Sequence, residues 1–294
     1  MLPLEAVPNF SEGRDSVLIG LLGQELAERA RLLDIHRDSD HNRSVYTLVG
    51  DDAEIVDALL AAIAVARERI DLRRHEGVHP RIGATDVVPL VPVRPEDMER
   101  AHTAALTLAE RIGEELELPV FLYGELGGDR GPAFFRRGGP TELQRRINAG
   151  ELAPDFGPAQ LDERAGGVLV GARAPLIAFN VDLAGDDLDA AREVARAVRE
   201  RDGGLPGVRA LGLRLLRAGH VQVSLNVENW RAVPLHEVVA AVEREATARG
   251  LRVTGSELVG LLPAGAAVAA AGSLLGVAGL DPSHVLELRL LPDE

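Results

Sequence analysis

One stretch of the chain gathers side chains able to move protons and bind anions at neutral pH: Arg74-His75-Glu76-Gly77-Val78-His79-Pro80-Arg81-Ile82-Gly83-Ala84-Thr85-Asp86. An unperturbed histidine titrates near pH 6.5, so His75 and His79 are natural proton carriers. The flanking arginines are natural carboxylate binders. His75, Glu76 and His79 also spell the H-E-x-x-H pattern of a helical zinc site. That site needs both imidazoles on one helix face. Gly77 weakens a helix here, and Pro80 pushes the residue before it, His79, out of the α region. The stretch is therefore expected to be a turn, punctuated by Gly77, Pro80 and Gly83. It lifts His79, without a metal, above the end of the strand-like run Val87-Val88-Pro89-Leu90-Val91-Pro92. A lone histidine is more often structural than catalytic, so the rest of the chain must decide its role.

The absences narrow the chemistry. Neither cysteine nor lysine occurs, which excludes thiolate nucleophiles, disulfides, iron–sulfur ligation, Schiff bases and the P-loop lysine. What remains is histidine, carboxylates, hydroxyls and arginine. A net charge of −14 argues against nucleic acid or an anionic membrane as partner, though local arginines can still capture a small anion. With 294 residues, 46% of them hydrophobic and 27% charged, the chain is sized for one large domain or two ordinary ones. Met1-Leu2-Pro3-Leu4-Glu5 has neither the basic nor the apolar part of a leader, so a cytoplasmic location is expected. The uncharged stretch from Leu258 to Leu280 is long enough to span a bilayer, but Pro263 interrupts it. It reads as a strand end and loop followed by a short buried helix with Pro263 near its first turn.

The elements that must position the histidine turn follow a repeating order. Leu4 to Phe10 reads as a strand, and Val17, Leu21, Leu22 and Leu26 as one face of a helix. Strands follow at Leu32–His36 and Ser44–Val49, and Asp51 with Glu54 signals the start of a helix to about Ile70. The same β-α-β-β-α order returns from Leu176, with Asp186 or Asp187 as helix cap, paired strands Val208–Arg217 and His220–Val227, helix Pro234–Ala248 and strand Leu251–Thr254. The expected fold class is α+β, two ferredoxin-like (split β-α-β) sandwich subdomains at residues 1–172 and 173–294 forming a groove. Between the repeats, an insertion-like stretch holds the histidine turn, strand Val87–Val93, helix Pro95–Glu115 and strand Val120–Tyr123. It continues into Gly124–Gly139, whose glycines at 124, 127, 128 and 131 give a weak phosphate-cradle signal. Arg130, Arg136, Arg137, Arg145 and Arg146 make the one basic concentration of the chain, either a solvated face or a carboxylate trap.

Five segments, met in order along nearly the whole chain, resemble the glutamate formimidoyltransferase family, folate-dependent enzymes of histidine breakdown. They are Val7-Pro8-Asn9-Phe10-Ser11-Glu12-Gly13, Asn42-Arg43-Ser44-Val45-Tyr46-Thr47, His79-Pro80-Arg81-Ile82-Gly83-Ala84, Ala153-Pro154-Asp155-Phe156-Gly157-Pro158 and Gly255-Ser256-Glu257-Leu258-Val259-Gly260. The resemblance implies two α/β subdomains, a homodimer, a tetrahydrofolate groove between the subdomains, and formimino transfer from N-formimino-L-glutamate to N5 of tetrahydrofolate. Animal members carry a fused cyclodeaminase, so a separate cyclodeaminase is expected to complete the pathway here. The family's catalytic histidine falls on His79. Its folate-contacting loop falls on Gly157, Pro158, Ala159, Gln160, Leu161, Asp162, Glu163, Arg164, Ala165 and Gly166. Animal members have an aspartate where this chain has His36, leaving Asp34, Asp38 and Asp40 as the nearest substitutes, with Asn42 close by.

The chemistry fits the residue inventory. A pterin amine attacks an amidine-like carbon and must lose a proton, while the departing glutamate amine must gain one; a histidine can do both in turn. Donor and folate tail carry carboxylates, for which Arg43, Arg81 and Arg173 are the candidate anchors. A formyltransferase acting on N-formylglutamate differs by NH against O and stays open at this point, as does a non-catalytic folate-binding protein.

Overall fold

The computed structural model describes residues 2–290. The chain is α+β and divides, between Ala174 and Pro175, into two compact units. In chain order the first holds β1 (Leu4–Ala6), β2 (Asn9–Phe10), α1 (Ser16–Ala27), β3 (Arg31–Asp38), β4 (Arg43–Gly50), α2 (Asp52–Arg69), β5 (Thr85–Pro92), α3 (Met98–Glu115), β6 (Val120–Leu122), α4 (Pro132–Arg136), α5 (Gly139–Asn148) and β7 (Val168–Ala172).

The run Leu4–Phe10 is one strand interrupted at Val7-Pro8, since a proline cannot donate to a sheet ladder. Its halves, β1 and β2, both lie antiparallel between β4 and β5. β3 pairs outside β4, while β7 and then β6 extend the sheet in parallel beyond β5. Because alternate residues of a strand face opposite ways, the sheet buries both faces. Leu4, Tyr46, Leu48, Val88 and Leu90 pack under α1, α2 and α3, whereas Val87, Phe121 and Leu169 pack against Phe135 of α4 and Leu143 and Ile147 of α5. Asp51 and Glu54 close the expected capping box at the start of α2. On α1 the buried stripe is Leu18, Ile19, Leu22 and Leu26, and Val17 stands 80% exposed, one position off the face read from the sequence.

The second unit holds β8 (Ile177–Leu183), α6 (Leu188–Val198), β9 (Val208–Leu215), β10 (His220–Val227), α7 (Leu235–Ala248) and β11 (Val253–Val259), followed by α8 (Ala264–Leu275) and α9 (Leu286–Leu290). Its sheet runs β11-β8-β10-β9, antiparallel throughout. Asp187, not Asp186, caps α6.

Three expectations are corrected. The strand after the histidine turn is not an insertion: β5 sits beside β1/β2 as β11 sits beside β8, and so closes the first repeat. The glycine- and arginine-rich stretch does not form a cradle of free amides, because the Gly124 and Gly127 N–H groups bond to the carbonyls of Arg130 and Gly124 and the segment continues into α4 and α5. Helix α8, with Pro263 as its N-cap, is mostly at the surface; of its residues Ala266 and Gly272 are buried, and Leu274 is 87% exposed. Its lack of charge reflects alanine and glycine, which cover little area, rather than burial. No helix among the described residues is long and apolar enough to cross a membrane.

Candidate active site

The residues from His75 to Arg81 form an extended turn between α2 and β5. His75 has φ −85° and ψ 127°, so the i, i+4 geometry of a helical zinc pair is not formed. The two imidazoles instead take different partners: His75 meets Arg81, and His79 meets Arg43.

This turn docks on a second one, Ser39–Asn42, between β3 and β4. Asp38 folds that second turn by accepting from the backbone N–H groups of Asp40 and His41 at 2.7 and 2.8 Å. Asn42 takes the left-handed conformation (φ 49°) that asparagine tolerates better than most residues. Its Oδ1 accepts from Gly13 N at 2.9 Å and its Nδ2 donates to Glu76 O at 2.9 Å, joining three segments. The Val78 N–H donates to Asp40 O at 3.0 Å. Arg81 clamps the two turns from beneath, donating to the carbonyls of His41, Asn42 and His79 at 3.0, 3.2 and 2.7 Å. A side chain at position 77 would strike His41 O at 2.4 Å, so glycine is required there for the close approach.

His79 keeps part of its surface at solvent but is densely surrounded. Its ring stacks on that of the fully buried His41, centroids 5.8 Å apart and planes at 25°. Arg43 Nη1 lies 3.1 Å from His79 Nε2. A guanidinium has no acceptor, so Nε2 must be the unprotonated nitrogen and the neutral ring carries its hydrogen on Nδ1. Desolvation, followed by the charges of Arg43 and Arg136, holds the imidazole well below the usual histidine range. His75 is pushed down to about 4, first by desolvation and then by Arg81. The same packing lowers Arg43 and Arg81 to about 10, with desolvation the larger cause in each; both remain cations at neutral pH.

The counter-ion is Asp86, 2% exposed, whose Oδ1 accepts from Ile82 N at 2.7 Å and whose Oδ2 sits 2.5 Å from Arg136 Nη2. Asp86 reaches that position through a β-bulge: Asn9 pairs with Val87 and Phe10 with Thr85, leaving Asp86 as the extra residue of β5. Bulges of this kind re-aim a side chain.

The loop proposed to contact folate divides in two. Pro158, Ala159 and Gln160 are exposed. The remainder is tied to the segment following His79: Ala84 N donates to Ala165 O, Gly167 N donates to Ile82 O, and Gly83 pairs with Gly166. Asp162 Oδ1 organises the tip by accepting from Arg164 N and Ala165 N, and Leu161 is buried. Glu163 is exposed, Arg164 donates to Glu68 O, and Gly157 has φ 77° with Leu118 O filling the space of a side chain.

Of the other sequence candidates, Asp38, Asp40, Asn42, Arg43 and Arg81 are gathered around His79 by these two turns. Asp34 and His36 lie along β3, opposite Thr47 and Val45. Arg173 is at the far end of β5, its N–H bonded to Leu90 O and its charge beside Glu5. The basic concentration splits: Arg136 joins the histidine site, Arg146 is buried against Phe134 and its carbonyl, Arg145 pairs with Glu142 and Glu151 at the surface, Arg130 donates to Gly127 O, and Arg137 is exposed. Sequence reading placed Asp86 in the histidine stretch but gave neither it nor His41 a role, and it did not separate Arg136 from the other arginines. An acid next to a long apolar strand was the available signal, because a buried carboxylate needs a cation.

Comparison with known proteins finds matches along nearly the whole chain. Residues 3–173 match the model of the formiminotransferase domain, N-terminal subdomain, and residues 178–276 that of the formiminotransferase domain. A protein of Thermoplasma acidophilum named glutamate formimidoyltransferase is 38% identical over 98% of this chain and 97% of its own length. One of the same name from Streptococcus pyogenes is 37% identical over 98% of both. The formimidoyltransferase-cyclodeaminase of Rattus norvegicus is 37% identical over 88% of this chain but only 50% of its own length. The chain belongs to the formiminotransferase domain family.

Proposed function

We propose that this chain is a glutamate formimidoyltransferase, moving the formimino group of N-formimino-L-glutamate to N5 of tetrahydrofolate with His79 as the proton carrier. The observation that carries the reading is a neutral imidazole set among the arginines Arg43, Arg81 and Arg136 beside the buried acid Asp86. These three arginines outnumber the two acids, Asp86 and Asp38, whose charges act on Arg43, and buried charge without a counter-ion is costly. A donor with two carboxylates supplies what is missing.

In the reaction the N5 lone pair attacks the formimino carbon, and the bond from that carbon to the glutamate nitrogen breaks. The proton lost by N5 passes to Nε2 of His79 and then to the departing glutamate amine. No bond to the protein forms, consistent with a chain that has neither cysteine nor lysine. The lone pair that must accept the proton is the one Arg43 now contacts, so Arg43 has to yield it. A donor carboxylate that draws the guanidinium aside frees the base and raises its proton affinity in the same movement. The loop from Gly157 to Gly166, tied through Ile82–Ala84 to the histidine turn, is the proposed folate contact. The resemblance is the ground for proposing a cytoplasmic homodimer, and the name of the Rattus norvegicus relative makes a cyclodeaminase the activity proposed to follow.

The test is a side-by-side assay with tetrahydrofolate as acceptor and either N-formimino-L-glutamate or N-formyl-L-glutamate as donor. Faster turnover of the formimino donor is expected. Transfer from the formyl donor alone would overturn the reading.

A further inference from the structure

We infer that Arg136 is the specificity residue that grips a carboxylate of the donor, with Asp86 holding the guanidinium ready for it. The inference rests on the proposed transfer reaction and separates Arg136 from the other arginines by what each already binds. Arg81 spends its guanidinium on the carbonyls of His41, Asn42 and His79 and on the ring of His75, which makes it a clamp. Arg43 is engaged with the reacting imidazole itself. Arg173 stands at the other end of β5, beside Glu5.

Arg136 differs from all three. Its Nη2 meets Asp86 Oδ2 at 2.5 Å, while its Nε is buried with no acceptor. The guanidinium is a planar fork suited to two parallel bonds to one carboxylate. Asp86 pairs with Nη2 as a counter-ion and spends its other oxygen on Ile82 N at 2.7 Å, but neither its Oδ2 nor Arg136 Nε makes a hydrogen bond, so the fork carries a counter-charge without being filled. An unpartnered buried N–H is unfavourable, and a carboxylate arriving at this fork relieves it. Position is fixed from the backbone side: Phe135, the preceding residue, is buried with its ring 5.5 Å from that of Phe121. Through Asp86, whose Oδ1 accepts from Ile82 N, Arg136 is tied to the segment that follows His79, and its charge acts on that imidazole.

The experiment compares wild type, Arg136→Gln and Arg136→Lys. Donors are N-formimino-L-glutamate and N-formiminoglycine, which has one carboxylate fewer. Losing one charge-assisted contact should raise KM for the glutamate donor about tenfold or more. The KM for tetrahydrofolate should stay put, and the preference for the dicarboxylate donor should collapse. Arg136→Lys, which keeps a cation against Asp86 but not the fork, should fall between and carries the test if the glutamine variant does not fold. A parallel calorimetric titration with glutarate needs no turnover: wild type should bind it and the variants more weakly. Unchanged donor preference or unchanged glutarate affinity overturns the inference. Glutarate binding that depends on Arg136 in a wild type without formimino transfer would count against the reaction and leave the anchor standing.

Discussion

Arg43 Nη1 points at Nε2 of His79 from 3.1 Å, placing a permanent cation against the lone pair of the proposed base. The contact fixes the tautomer and adds to desolvation, the larger cause, in holding the imidazole well below the usual histidine range.

Replacing Arg43 by methionine removes both effects. The cation disfavours imidazolium, so its loss raises the histidine's pKa and moves the acid limb of the pH profile of kcat/KM upward, toward the ordinary value of about 6.5. Profiles measured on wild type and R43M test the sign. A limb that stays in place or moves to lower pH contradicts the electrostatic role given to Arg43.

Arg81 is assigned to architecture. Lysine cannot reproduce its planar set of donors to the carbonyls of His41, Asn42 and His79. Arg81→Lys should cost about 3 kcal/mol through carbonyls left unpaired, read from urea denaturation. A cost near zero would show that the two turns hold together without the clamp.

Two glycines with positive φ should respond differently. Gly150 (φ 71°) has open space where a side chain would go, so Gly150→Ala should cost about 1 kcal/mol from backbone strain alone. At Gly166 (φ 70°) the new carbon would meet Ile82 O at 2.0 Å, forcing the 161–166 segment off the histidine turn. Gly166→Ala should therefore be far more destabilising in a thermal melt and should weaken folate binding. Equal melting shifts for the two variants would contradict the packing described.

His75 gives a pH signature to stability. Its folded-state value of about 4 lies below the unfolded value near 6.5, so between those limits the unfolded chain binds more protons. Its contribution is complete above about pH 6.5 and is lost as the pH falls toward 4. His75→Gln should flatten that part of the stability curve, measured by denaturation across the window. An unchanged slope would mean that the ring is not held neutral.

The parts of this arrangement that were legible in the sequence are those governed by local rules. The Asp51–Glu54 capping box, the proline that keeps His79 out of a helix and the recurring element order all come from spacing within a few residues. What escaped depends on register and long-range burial. Asp86 is carried to Arg136 by a bulge defined by the pairing of β2 with β5, which no local pattern announces. His41 reads as one polar residue in a turn until Arg81 and Gly77 close the histidine turn over it. Helix α8 was misjudged because alanine and glycine are apolar without being obliged to hide.

The most direct measurement is turnover of His79→Ala with N-formimino-L-glutamate and tetrahydrofolate, alongside the variant's folate affinity. A fall of about two to four orders of magnitude in kcat with folate affinity retained is the predicted result for a lost proton carrier. Near-wild-type turnover, or a loss accounted for entirely by folate no longer binding, would contradict the role given to that imidazole.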